Sequence, residues 1–417
     1  MIGPGLTRTV TWAISGVTLV AVASRAAGLP EALWAAVGAA TLVIIGAVSF
    51  SDALQAVSRG TDVYLFLVGM MMLAELLRRH GVFDWLAMHA LEAARGSPLR
   101  LLGVIYLVGV VVTAVLSNDA TAVVLAPAVA VAVGRTNARP LPYLYACAFV
   151  ANAASFLLPI SNPANLVVYA DRLPPLWAWL RAFGLASLFA VLVTYAALIL
   201  VMRGSLRERV HDDSEPVGLT AAGRLALAAV SLSGLVMIVA ALFTVPLGRV
   251  TISVAVLSLA IVSAAVPRTF ASVLRRVAWS IVPLVAALFT VVAALDRAGL
   301  PDLLRTALSA LGGLPGPLGA EALSASVTVA CAVANNLTVA LLAEGTRTAG
   351  DLTPLLVHRA LTAVDLGPNL AVSGSLATLL WLRALRHEGI VVTPLQFARI
   401  GVCVLTPALA GAALLVH

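Results

Sequence analysis

The sequence predicts an all-α polytopic membrane protein: two inverted-topology repeats, each of five transmembrane helices plus one re-entrant hairpin, with discontinuous helices at a polar centre. Three observations predict it. Hydrophobic residues make up 61% of the chain, charged residues 11%, and mean hydropathy is +1.04, whereas a soluble domain is about half apolar and a quarter charged. The run SNDATAVVLAP at 117–127 sets Asn118 and Asp119 inside an apolar stretch. In the second half ANNLTVALLA at 334–343 says nearly the same again, with Asn335, Asn336 and Thr338 falling where Asn118, Asp119 and Thr121 fell.

A spanning helix needs about 20 mostly apolar residues, and 10–28, 32–50 and 62–78 supply the first three. The N-terminal run has no small-residue cleavage pattern, so it reads as a retained span and not a signal peptide. VFDWLAMHALEAA, Val82–Ala94, is too short and too mixed to cross; its apolar residues at helical spacing suggest an amphipathic helix in the interface. From 99 to 134 the chain is apolar with a break at Ser117, Asn118 and Asp119, and its second arm is short for a crossing. A hairpin with its tip at mid-membrane fits better than two spans. In 141–170, Pro159 and Pro163 each remove a backbone donor and clash with the preceding turn. The helix breaks there, and unwound backbone at membrane depth is tolerated only where it is buried in protein or lines a cavity. A full span over 176–202 closes the first repeat, residues 1–210.

The second repeat, 211–417, follows the same order. Spans at 222–244, 250–266 and 277–295 lead to an amphipathic piece, PDLLRTALSALGG, then to a hairpin over 319–343 with its tip at Asn335 and Asn336. A broken helix over 354–385, interrupted at DLGPNLAVSGS, and a last span at 395–416 complete it. An odd number of spans per repeat makes the second enter from the opposite side, the plan of many secondary transporters. With both termini outside, one side collects the larger share of the arginines, among them Arg78, Arg79, Arg203, Arg207, Arg275 and Arg276. The positive-inside rule makes that side cytoplasmic.

The same arginines account for the net charge of +7, which therefore does not point to nucleic acid. Cys147, Cys331 and Cys403 lie in apolar segments without a CxxC, and the histidines are scattered, so neither a metal site nor a cofactor is expected. An intramembrane hydrolase would need paired aspartates, a Ser–His pair or HExxH within spans, and the sequence has none.

Half-helix ends carry free amide donors and carbonyl acceptors, each worth about half an elementary charge. Around them the four breaks gather Asn118, Thr121, Ser161, Asn162, Asn165, Asn335, Asn336, Thr338, Asn369, Ser373 and Ser375 as candidate substrate-binding residues. Such uncharged donors and acceptors suit a small hydroxyl-rich solute, or a cation held by carbonyls. Asp119 is the natural proton carrier, because an intramembrane carboxylate is functional by default. Asp365 either shares that proton-coupling role or caps a helix start at the break. Glu75 reads as an interfacial ion-pair partner of Arg78 and Arg79, and Asp52, Asp62 and Glu344 as boundary residues.

DLGPNLAVSGSLATLLWLRAL at 365–385 closely resembles the signature of the arsenite efflux permeases, the ArsB family of the ion transporter superfamily. VGMMMLAELLRRHGVFDWLA at 68–87, SNDATAVVLAP and NNLTVALLA are similar to segments of that family in order and spacing, over nearly the whole chain from Asp62 onward. ISNPANLVVYA at 160–170 is also similar to the break of citrate, dicarboxylate and sodium/proton members, and Ser117 stands where the family pattern has Asn. The resemblance implies export of arsenite and antimonite against inward proton movement, in a prokaryotic inner membrane. It also implies a cytoplasmic arsenite-stimulated ATPase as a candidate partner. A sodium/proton antiporter or a sodium-coupled carboxylate transporter is the alternative.

Overall fold

The computed structural model describes residues 4–24, 28–170, 173–207, 209–211, 218–312, 318–348 and 353–417, and its regular structure there is entirely helical. The first half folds into α1 (Pro4–Ser24), α2 (Glu31–Ile44), α3 (Phe50–Arg59), α4 (Thr61–Arg79), α5 (Val82–Ala94), α6 (Pro98–Val115), α7 (Asn118–Gly134), α8 (Leu141–Ala153), the short α9 (Pro163–Val168) and α10 (Leu176–Met202). The second half gives α11 (Ala221–Leu242), α12 (Leu247–Ala265), α13 (Thr269–Arg276), α14 (Ile281–Arg297), α15 (Leu300–Gly312), α16 (Leu318–Ala334), α17 (Asn336–Thr348), α18 (Pro354–Leu366), α19 (Leu376–His387) and α20 (Pro394–Leu415). Among the described residues six segments are long and apolar enough to cross a bilayer, seven if the bent pair α3–α4 is one span.

Local chemistry sets these boundaries. Ser97, Thr353 and Thr393 each accept from a backbone N–H three residues on, and each is followed by Pro at the first helical position, where a missing N–H costs nothing. Three expectations need correction. The span expected at 32–50 ends at Ile44, because Gly46 takes a left-handed φ of +75° and Ser49 caps a new helix, accepting from the Asp52 N–H at 3.2 Å. The new helix, α3, meets α4 at 48°. In the second half the helix expected from 277 starts at Ile281, and the separate amphipathic α13, with Arg275 and Arg276 in its last turn, precedes it. Lastly, α5 occupies the expected residues but buries Phe83, Met88 and Leu91 as it packs on α6 and α7, so it belongs to the body of the protein.

The halves interlock. α4 packs on α12 and α14 on α2; likewise α19 packs on α7 and α9 on α17. Backbones touch where α4 meets α12: a Cβ at Gly248 would lie 1.8 Å from the Asp62 carbonyl oxygen. The Asp62 carboxylate accepts from the N–H groups of Gly248 and Arg249 at 2.9 and 3.2 Å, so this boundary residue caps α12 from another helix. Tyr145, Phe149, Trp381 and Phe397 join α8, α19 and α20, with the Trp381 indole donating to the Leu144 carbonyl at 3.2 Å. That cluster fixes α19, whose first residues reach the centre.

Candidate functional site

Each break is held by its own polar side chains. After α8 the chain passes through a 3₁₀ turn, Pro159–Ser161, and restarts at α9, where the Asn162 side-chain oxygen accepts from the Ala164 N–H at 3.0 Å. Asn165 donates to the Ser155 carbonyl at 2.8 Å, and the Ser161 hydroxyl donates to the Ala114 carbonyl at 3.3 Å, which ties the break to α6. After α18 come the 3₁₀ turns Gly367–Asn369 and Val372–Gly374, and Ser375 restarts α19 by accepting from the Thr378 N–H at 3.0 Å. Ser373 donates to the Ala332 carbonyl of α16 at 2.6 Å. The two breaks also bond to each other: Asn162 donates to Asp365 at 2.5 Å, and Asn152 donates to Asn369 at 2.8 Å.

The polar tips come in between. In the first, Ser117 and Asn118 accept from the N–H groups of Ala120 and Asp119 at 3.4 and 2.9 Å. A π-helical turn over Thr121–Leu125 follows, the kind of helix defect that gathers at functional sites. Thr121 and Thr113 share a hydroxyl hydrogen bond of 2.8 Å, so α7 folds back along α6. In the second tip Asn335 takes φ +72°, a left-handed conformation that Asn tolerates better than most residues, and its side-chain oxygen accepts from the Leu337 N–H at 3.0 Å.

Asn118, Asp119, Asn162, Asn335, Asn336, Thr338 and Ser375 line one cavity of about 50 Å³, walled by Leu67, Ile281, Leu284, Leu288 and Leu379. Thr121, Ser161, Asn165, Asp365, Asn369 and Ser373 do not line it, and their bonds hold the breaks from behind. Glu31, at the start of α2, lines the cavity as well, and the sequence reading passed over it. Asp119, Glu31 and Pro163 also line a wider vestibule of about 390 Å³, whose wall includes Glu75, Arg276 and Arg383. Glu75 accepts from Arg78 at 2.5 and 2.6 Å, as expected, and its second basic neighbour is Arg276 at 4.0 Å in place of the expected Arg79. Beyond the other end of α9 lies a third cavity of about 360 Å³, lined by Arg59, Asp62, Leu166, Tyr169 and Arg249 among others.

The central cavity offers amide, hydroxyl and carboxyl groups and no thiol: Cys147 and Cys331 are buried elsewhere, and Cys403 is exposed. Among the described residues no cluster of three or more His, Cys, Asp or Glu could hold a metal ion. The arrangement can bind by hydrogen bonds and exchange protons.

The family model for citrate transporters, CitMHS, matches residues 14–363. The chain belongs to that family. Within it the chain is 26% identical to an arsenical pump membrane protein of Escherichia coli over 95% of both chains, and 27% identical to one of Yersinia enterocolitica over 82% of both. An uncharacterized transporter of Mycobacterium tuberculosis is 26% identical over 90% of this chain and 91% of its own. Among solved structures the YdaH transporter of Alcanivorax borkumensis superposes with a TM-score of 0.54 at 15% identity, over 88% of this chain and 86% of that one, and so shares the fold. This member of the family is a multi-pass membrane transporter of all-helical build, as the sequence resemblance implied.

Proposed function

We propose that this transporter exports arsenite and antimonite as neutral trihydroxides in exchange for protons, by alternating access. The observation that carries the reading is the central cavity. Its 50 Å³ holds roughly three to five waters, room for an arsenic atom with three hydroxyls. Its lining of Asn, Ser and Thr binds hydroxyl groups reversibly, where thiolates would hold trivalent arsenic too tightly for turnover. Similarity to the arsenical pump membrane proteins along nearly the whole chain supports the same cargo.

In this reading residues 1–210 and 211–417 are inverted repeats. The reciprocal packing of α4 on α12 and α14 on α2, and of α19 on α7 and α9 on α17, supports it. So does a short sequence match at the ends of α4 and α14: RHGVFDWL at 79–86 against RAGLPDLL at 297–304, with Gly81 and Gly299 both at positive φ. The vestibule, with Arg276 and Arg383 in its wall, opens to the cytoplasm of a prokaryotic cell, and both termini lie outside. The hairpins and broken helices then move against a scaffold formed by the first three spans of each half, and Asp119 takes up the proton when arsenite leaves. An arsenite-stimulated ATPase would dock on the same cytoplasmic face.

The test is expression in a cell that lacks arsenite export, scored for arsenite and antimonite resistance against sodium tolerance and citrate uptake. Resistance to the metalloids is the expected result. Unchanged arsenite sensitivity with restored sodium tolerance or citrate uptake would replace this reading with the sodium/proton antiporter or carboxylate alternative.

A further inference from the structure

Two acids line the central cavity: Asp119 from the first polar tip, and Glu31 from the first turn of α2. Both also line the vestibule, so the two carboxyl groups stand where vestibule and cavity join. Glu31 stands in the first turn of the 14-residue α2, just after the exposed residues Gly28, Leu29 and Pro30, and the positive end of the helix favours an acid there.

A helix-start acid is ordinary, and what distinguishes Glu31 is the chemistry around it. Asn118, Asn162 and Asn335 each commit the side-chain oxygen to a backbone N–H, of Asp119, Ala164 and Leu337, and Asn162 also donates to Asp365. A second observation points to a ligand: the Thr338 hydroxyl lines the same cavity, is 1% exposed and has no hydrogen-bond partner. A trihydroxide brings three O–H donors, and carboxylates are the strongest acceptors in that lining.

We propose that Glu31 is a binding residue of the transport site, accepting a substrate hydroxyl together with Asp119. The inference rests on the metalloid reading above and adds to it a contact from α2. Among the described residues, the charged groups that line these spaces with Glu31 are Asp119 in the cavity, and Glu75, Arg276 and Arg383 in the vestibule.

The experiment uses everted vesicles carrying the full chain, with initial rates of arsenite uptake measured against concentration. Glu31→Gln is expected to raise KM at least tenfold while changing the maximal rate less, and Glu31→Asp to return KM to within about threefold of wild type. A wild-type KM in Glu31→Gln overturns the proposal. A second measurement needs no variant: wild-type protein is labelled with a hydrophobic carbodiimide, which modifies intramembrane carboxyl groups, and labelled peptides are quantified with and without saturating arsenite. Protection of both Glu31 and Asp119 is expected. Protection of Asp119 alone overturns the role of Glu31 and leaves the transport reading standing, whereas a wild type that neither takes up arsenite nor shows protection removes both.

Discussion

The Asn162 side-chain amide donates to the Asp365 carboxyl at 2.5 Å and so joins the two broken helices at the centre of the molecule. Asn162 is 2% exposed and Asp365 0%, so water cannot replace either partner. The same Asn162 caps α9 through its oxygen at 3.0 Å. One side chain thereby fixes a helix start in one half to a carboxyl group in the other.

Breaking that pair from either end gives different outcomes. Asn162→Ala removes the cap and strands a buried carboxyl group, and is expected to cost about 2–4 kcal/mol, a cap plus a buried group left without its partner. Asp365→Asn keeps an amide partner for Asn162 and is expected to cost about 1 kcal/mol. Unfolding of the purified protein in detergent ranks the two. The reverse order would mean that the pair is not what holds the breaks together.

Gly401 of α20 tests how tightly the second break is seated. A Cβ there would lie 1.9 Å from the Asn369 carbonyl oxygen, a backbone atom that cannot turn aside. Gly401→Ala is expected to cost about 1–3 kcal/mol through overpacking and to lower transport by displacing the 3₁₀ turn at Asn369. Gly16→Ala is the control, since nothing lies within 4 Å of its Cβ position in α1. It is expected to be neutral or stabilising by up to about 1 kcal/mol, with transport unchanged.

How much of this was legible in the sequence depended on where each polar group fell. Asn118, Asp119, Asn335 and Asn336 stood out because each interrupts an apolar run, and all four line the cavity. Glu31 did not, because an acid at the start of an apolar run is what any interfacial helix end looks like. Only the cavity it lines sets it apart. The same limit hid α3 and α13, whose ten and eight residues merge by composition into their neighbours. Thr121, Asn165 and Ser373 read as substrate-binding residues of the breaks, but pattern alone could not tell a side chain that lines a cavity from one that bonds backbone behind it.

Cys331 offers a separate check on how the substrate is held. It is buried on α16, with its sulfur 3.5 Å from where a Cβ on Gly367 would lie, and it does not line the cavity. Cys331→Ala is expected to leave arsenite uptake within about twofold of wild type, at a stability cost of about 1–2 kcal/mol for the small void. Loss of uptake in a variant that unfolds at the wild-type temperature would mean that a thiolate binds the metalloid, contrary to the hydrogen-bonding site.

The sharpest prediction concerns Asp119, whose counterpart in the second tip is the neutral Asn336. Both residues line the cavity, yet only Asp119 also lines the vestibule, so only the first tip brings a titratable group to the route between cavity and water. A proton carried there has to leave or arrive as the substrate does. In everted vesicles, uptake of arsenite driven by a pH gradient is expected to fall at least a hundredfold in Asp119→Asn, while exchange of bound for free arsenite without a gradient persists because the amide still hydrogen-bonds hydroxyl groups. Asn336→Asp places a second carboxyl group in the same small cavity, and is expected to weaken arsenite uptake without restoring coupling to Asp119→Asn, because the second tip does not reach the vestibule. Gradient-driven uptake that survives Asp119→Asn would move the coupling proton to another group, and Glu31 is the next carboxyl on the route.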